Sequence, residues 1–255
     1  MSTLRLFKII LCCGVMLATV GCGRLIPDAP RVGPYGPTTP APRPWSGAGS
    51  VGTGAAFSID APIDSGTRAA VARAALRPED CASVLGAARV TFSPVPDRAN
   101  TEVCRIERAG TLGADYGVRS RMAPAQPVMT CRLAVALSVW RRQSVEPAAM
   151  EILGARVDQI DHMGVYACRN VNSAATGRPS AHARAAAIDI AGVRLSDGRR
   201  ITITNDWRGN TAEARFLRRI RDDACAIFGT TLSPDYNRLH DDHLHLEAED
   251  GRLCS

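Results

Sequence analysis

The sequence predicts an α+β domain, a mainly antiparallel sheet flanked by helices and stapled by disulfides. Three observations predict it. Apolar residues recur at helical spacing in some segments and alternate in others, without the strand–helix–strand rhythm that builds a parallel sheet. Apolar residues make up 45% and charged residues 22% of the chain, ordinary for a globular core and for neither a disordered nor a multi-span membrane protein. The exported part keeps an even number of cysteines, a disulfide signature. At 255 residues the chain accommodates one substantial domain with appendages.

The chain opens with Arg5 and Lys8, an apolar run from Ile9 to Val20, and Gly21-Cys22. A basic start, a short apolar run and a small residue form an export signal, too short for a comfortable membrane span. Thr19-Val20-Gly21-Cys22 resembles the lipobox of bacterial lipoproteins, which implies lipid modification of Cys22 as the new first residue. An ordinary cleaved signal and an uncleaved anchor are the alternatives. Gly23, where no aspartate stands, implies outer-membrane sorting by the same resemblance. The expected organisation is a signal peptide over 1–21, a tether over 22–65 and a folded domain over 66–255. The tether is proline- and glycine-rich from Pro27 to Pro44 and cannot bury a core.

Within the domain, small and apolar residues from Thr67 to Leu85 recur at helical spacing, and Arg77-Pro78-Glu79-Asp80 reads as a turn starting a second helix. Ala88 to Phe92 alternates as a strand. Met129 to Arg141 is apolar on most faces and predicts a buried helix. Ala155 to Arg169 predicts a long strand or a strand pair, and Arg199 to Thr204 another strand. Thr211 to Phe228 is an amphipathic helix with its arginines on one side.

The net charge of +6 drops by two once Arg5 and Lys8 leave with the signal, too mild to point to nucleic acid. Lys8 is the only lysine and alanine is abundant throughout, a bias consistent with genomic base composition that marks no site. Of nine cysteines, Cys12, Cys13 and Cys22 fall in the signal region. The other six permit fifteen pairings. The sequential one, Cys81–Cys104, Cys131–Cys168 and Cys225–Cys254, is expected.

The chemistry concentrates in two segments, Arg178 to Ile190 and Asp242 to Glu247. Strand side chains alternate between faces. Leu244 and Leu246 therefore enter the core while His243, His245 and Glu247 face the other way. Ile188 and Ile190 likewise share one face, with Asp189 on the other. If the strands lie close in one sheet, Asp189 and His245 converge and His182 swings in as a third ligand. Two imidazoles and a carboxylate suit zinc with an open fourth position, where a water can be acidified to a pKa of about 7 and a carbonyl polarised. Asp242 is the candidate general base, provided the strand begins or bends at about His243. His243 is then either a donor to a developing oxyanion or an orienter of the base. His162 reads as a hydrogen-bonded core or surface histidine, and His240 as loop-ordering beside the centre. Arg169 and Arg178 are candidate substrate-binding arginines; Ser180 either caps its turn or touches substrate.

These residues resemble known families. Ser180-x-His182-x6-Asp189 followed by Asp242-His243-x-His245 resembles the paired motif of the D-Ala-D-Ala carboxypeptidase and dipeptidase group of zinc peptidases, which includes murein endopeptidases. Tyr166-x-Cys168-Arg169, the Ser180–Asp189 segment, Asp206-Trp207, Pro234-Asp235-Tyr236-Asn237 and the His243/His245 segment are similar to the bacterial extensin-like C-terminal domain. That similarity extends from Leu76 to Cys254. It implies His182, Asp189 and His245 as zinc ligands, Asp242 as base and His243 as neighbouring catalytic histidine, on a fold like that of the zinc DD-peptidases. The peptidase group often carries glycine between its first histidine and the aspartate, where this chain has Arg184 and alanines.

The expectation is therefore a periplasmic, lipid-anchored zinc peptidase acting on peptidoglycan peptides, with the membrane as a further partner through its lipid. A non-catalytic wall-binding or scaffold lipoprotein on the same fold is the rival. A zinc amidase or esterase acting on another envelope polymer would use the same site.

Overall fold

The computed structural model describes residues 57–255; the expected signal segment, Cys22 and most of the tether lie outside them. The packed domain starts ahead of the boundary expected near Ser65, because Ile59 is buried and Phe57 and Ile63 pack on the core.

Helices α1 (Thr67–Ala74) and α2 (Pro78–Ala87) form where the spacing placed them, the second with Pro78 in its first turn and Glu79 and Asp80 at its positive end. Strand β1 (Val90–Pro94) pairs with β4 (Ala109–Asp115), and β4 with β6 (Val128–Thr130), in a small antiparallel sheet. Between them β2 (Arg98–Ala99) and β3 (Arg105–Ile106) make a short hairpin.

Helix α3 (Cys131–Trp140) is capped by the Thr130 hydroxyl, which accepts from the Leu133 amide, and is the buried rod of the domain. Its Trp140 indole donates to the Ile220 carbonyl on α6 (Ala212–Ile227), 2.8 Å away. The amphipathic α6 supplies Phe216, Leu217, Ile220, Ala224 and Ile227 to the same core.

The helical path does not stop at Arg141 as expected. It continues through a π-helical turn (Arg141–Val145), α4 (Glu146–Ala148) and a second π-helical turn (Ala149–Leu153), ending at Gly154 in the left-handed region. The wide turns accommodate Pro147, which cannot donate to an ordinary helical ladder. Arg141 and Arg142 read as a polar exit yet are buried against Asp115. Asp115, with its side chain fully buried, also accepts from the Arg142 Nε at 3.1 Å and the Gly117 amide at 2.9 Å. Asp115→Ala strips the buried Arg141 guanidinium of its carboxylate and leaves Arg142 with Asp60 and the Ala88 carbonyl. It is expected to cost about 3–5 kcal/mol in urea-denaturation stability.

The main sheet runs β12-β10-β11-β8-β7-β5, with β9 also paired to β8. Its strands are β5 (Arg121–Ala123), β7 (Val157–Gly164), β8 (Ala187–Leu195), β9 (Arg200–Thr202), β10 (Thr230–Leu232), β11 (Leu244–Glu247) and β12 (Leu253–Cys254). The centre is antiparallel; only the outer pairs β5–β7 and β10–β12 run parallel. The domain is α+β with a mainly antiparallel sheet. Residues 155–169 form the single strand β7 and a following loop. The strand expected through Thr204 ends at Thr202, where α5 (Ile203–Asp206) begins. Thr202 caps it by accepting from the Asn205 amide, and Asp206 answers by accepting from the Thr202 amide at 2.8 Å.

Three disulfides staple the fold: Cys81–Cys131, Cys104–Cys168 and Cys225–Cys254. The sequential pairing holds only for the last. Cys81 lies on α2 and Cys131 opens α3, and these two helices pack together. That takes both partners from the expected Cys104 and Cys168 pairs and leaves those two to join each other beside the hairpin.

Candidate metal centre

The centre forms where β8 and β11 pair. In the ladder His245 lies directly opposite Asp189, with Leu244 opposite Ile190 and Leu246 opposite Ile188. The leucines and isoleucines are fully buried, so the apolar face fixes the register and the register sets His245 beside Asp189.

His182 arrives from the turn just before β8. Ala181–Arg184 is a single 3-10 turn, capped by the Ser180 hydroxyl accepting from the His182 amide at 3.3 Å. Ser180, 5% exposed, makes the cap that the sequence offered as one of its two roles. Ala185 takes a left-handed conformation, and Ala183, Ala185, Ala186 and Ala187 are all buried. The alanines around His182, which composition alone made look like bias, let the turn sit tightly on the sheet. Arg184 fastens it from outside through its Nε, 2.6 Å from a Glu249 carboxylate oxygen.

Three atoms converge. His182 Nε2 lies 3.2 Å from both Asp189 Oδ1 and His245 Nδ1, and His245 Nδ1 lies 3.0 Å from Asp189 Oδ1. Ligands on a tetrahedral zinc with bonds of about 2.0–2.1 Å stand about 3.3–3.4 Å apart, so the triangle is close to that size. The other ring nitrogens point away from the triangle. His182 Nδ1 donates to the Val165 carbonyl at 2.8 Å, and His245 Nε2 faces Glu247 Oε2 at 3.6 Å. Each imidazole thereby presents its remaining nitrogen to Asp189, the arrangement of a metal-ligating histidine with its outer partner.

The same atoms share a proton when no cation is bound. Burial alone would depress His245, but Asp189 and Glu247 push it up to about 9. Burial works against ionising Asp189 too, and hydrogen bonds from both imidazoles hold its carboxyl far below the usual range. A proton on His245 Nδ1 occupies the middle of the triangle.

His243 stands just ahead of β11. Its Nδ1 is 2.8 Å from Asp242 Oδ1, and its Nε2 is 3.5 Å from Asp189 Oδ1. Asp242, about half exposed, therefore lies behind His243. His240 Nδ1 is bound to Asn237 Oδ1 at 2.8 Å, and its ring is 5.1 Å from that of His243. Burial and the neighbouring His243 and His245 lower its pKa to about 4. His162 sits apart, buried on β7 with Nε2 on the Pro124 carbonyl at 2.8 Å.

Arg169 and Arg178 flank the turn that bears His182. Their backbones pair, the Ser180 amide donating to the Arg169 carbonyl and the Val171 amide to the Arg178 carbonyl. Arg169 is near enough for its charge to help lower His240. The Cys104–Cys168 disulfide ties the residue before Arg169 to the hairpin. Glu247, Val165 and the buried alanines are parts of the centre that the sequence did not assign. Of these only Glu247 left a signal, standing two residues from His245 on the same strand face.

A family model, the extensin-like protein C-terminus, matches residues 79–255. The chain belongs to this extensin-like family. The matched region of the extensin-like domain holds all three disulfides and every residue of the centre, and it begins at the second residue of α2, leaving out α1 and what precedes it. No curated protein and no solved structure matches the chain.

Proposed function

We propose that this extensin-like domain is a zinc-dependent peptidase that hydrolyses peptide bonds in peptidoglycan stem peptides or cross-links. The observation that carries the reading is the convergence of His182 Nε2, Asp189 Oδ1 and His245 Nδ1, with His182 held at its Nδ1 by the Val165 carbonyl and His245 Nε2 facing Glu247. Motif resemblance to the zinc DD-peptidases supplies the substrate class. Export, a lipid anchor on Cys22 in the outer membrane and a tether long enough to reach the wall complete the proposal.

Zinc supplies Lewis acidity at this point, acidifying a water and polarising a carbonyl. The side chains divide the rest. Asp189 and the two imidazoles hold the cation's place. His243 Nε2 lies 3.5 Å from Asp189 Oδ1 with Asp242 on its Nδ1, so Nε2 would be free to accept a proton from the attacking water and return it to the departing amine. Asp242 thus acts through His243, not as the base expected from its place in the motif. Arg169 and Arg178 supply positive charge on the rim for a substrate carboxylate.

Metal content and muropeptide hydrolysis, measured for wild type and for His182→Ala and His243→Ala, test the reading. Zinc in the wild type, its loss in His182→Ala, and its retention without turnover in His243→Ala are expected. A wild type that holds no zinc, or a His182→Ala variant that cleaves at the wild-type rate, overturns the reading. A zinc-loaded wild type that binds muropeptides without cleaving them points to a wall-binding role.

Two further outcomes follow from the outer partners. Glu247→Gln should weaken zinc affinity about 10- to 100-fold in chelator competition while leaving the ligands in place. Zinc must also displace the proton of His245. Because that group is raised to about 9, zinc affinity should climb from pH 6 to about pH 9, by up to about tenfold per unit, and then level off.

A further inference from the structure

Away from the candidate centre, the turn after β4 and the π-helical stretch after α3 border an open cavity of about 420 Å³, walled by Tyr116, Arg119, Arg142, Glu146, Met150 and Arg156. None of these residues contributes to the centre. Arg142 is spent on Asp115, Asp60 and the Ala88 carbonyl. Arg119 and Arg156 are exposed, and among the described residues neither makes an ion pair. Tyr116 is 68% and Met150 49% exposed, an unusual outlay of apolar surface at the mouth of a charged cavity. Glu146 Oε1 is sealed from solvent, so it is the other carboxylate oxygen that faces the cavity.

Each feature asks for a different part of one ligand. Two uncommitted guanidiniums match a carboxylate in a forked geometry. A carboxylate oxygen on the wall accepts from a hydroxyl. An exposed phenol ring and a thioether offer a flat apolar surface to the C–H face of a ring. A simple anion satisfies only the first, and a hydrocarbon only the last. We propose that this cavity binds an acidic sugar, a hexose unit carrying a carboxylate. The carboxylate meets Arg119 and Arg156, a ring hydroxyl donates to Glu146, and the sugar face lies on Tyr116.

The test is titration of the full chain with glucuronate, glucose and inorganic phosphate by ligand-observed NMR. Glucuronate should bind roughly tenfold or more tightly than either of the others, since each of them lacks one charge-assisted or stacking contact. Arg119→Ala/Arg156→Ala should abolish the preference over glucose, and Tyr116→Ala should weaken glucuronate while sparing phosphate. The altered side chains are largely exposed, so an unchanged melting temperature is expected and separates loss of binding from loss of fold. Phosphate binding as tight as glucuronate, no binding of any probe, or glucuronate binding unchanged in the double arginine variant overturns the proposal. Zinc content should be unaffected throughout, so this result and that of the peptidase test are independent.

Discussion

Asp189→Asn is expected to lower zinc affinity by roughly three orders of magnitude, taking one of three ligands to contribute about a third of the binding free energy of a protein zinc site. Hydrolysis should disappear with the metal. The carboxylate sits at the hub, within 3.2 Å of both candidate ligand nitrogens and 3.5 Å of His243 Nε2. Its replacement by an amide of the same shape leaves packing intact and removes the charge. A second reading of the same variant is independent of zinc. In the metal-free protein His245 stands at about 9 against the depressing effect of burial, because Asp189 and Glu247 favour its charged form. Without the Asp189 charge, burial regains weight and the His245 pKa should fall toward or below its ordinary 6.5, as followed by NMR titration. A His245 that still titrates near 9 in the variant would show that Asp189 does not hold the cluster's charge. Folding stability follows the same sign. The raised His245 contributes stability fully below about pH 6.5 and loses it as pH rises through about 9. Metal-free wild type should therefore lose stability over that interval, and Asp189→Asn should lose much less.

The second large effect concerns the staples. Cys81→Ala/Cys131→Ala opens a loop spanning 50 residues of sequence. The chain-entropy argument gives a loss of about 4 kcal/mol, a large share of a domain's usual 5–15 kcal/mol. Denaturant unfolding should show that loss while zinc affinity at low denaturant stays at the wild-type value, because this bond joins α2 to α3 and touches no ligand. Cys104→Ala/Cys168→Ala should behave differently. Its loop is of similar length, so the stability loss is comparable, but Cys168 lies three residues from Val165, whose carbonyl holds His182 Nδ1. Releasing that segment should weaken zinc as well as the fold. Equal zinc affinities in the two double variants would refute the division of labour.

The centre was legible because alternation is strict on a strand. Once Leu244 and Leu246 take the core, His245 has one face left, and the same holds for Asp189 between Ile188 and Ile190. What pairs with what is a different kind of information. Nothing local distinguishes a Cys81 partner at 104 from one at 131, since the choice depends on α2 lying against α3. The helical path past Arg141 was missed because two arginines and a proline imitate a helix end, and only the buried Asp115 makes them acceptable inside. Ser180 carried two readings that its sequence context could not separate, and the structure shows the cap on the His182 turn. The alanines around His182 were indistinguishable from a compositional habit until their burial gave them a task.

The ladder that sets His245 opposite Asp189 also orders events in time. His182 and Asp189 are 7 residues apart and can approach within one turn and one strand, whereas His245 must come from 56 residues beyond Asp189. A nascent or translocating chain thus holds only two of the three donors, and a two-donor site is a weak one. On the proposed reading, metal capture would come after β8 and β11 have zipped, so the compartment in which this chain folds would also be the compartment that chooses its metal.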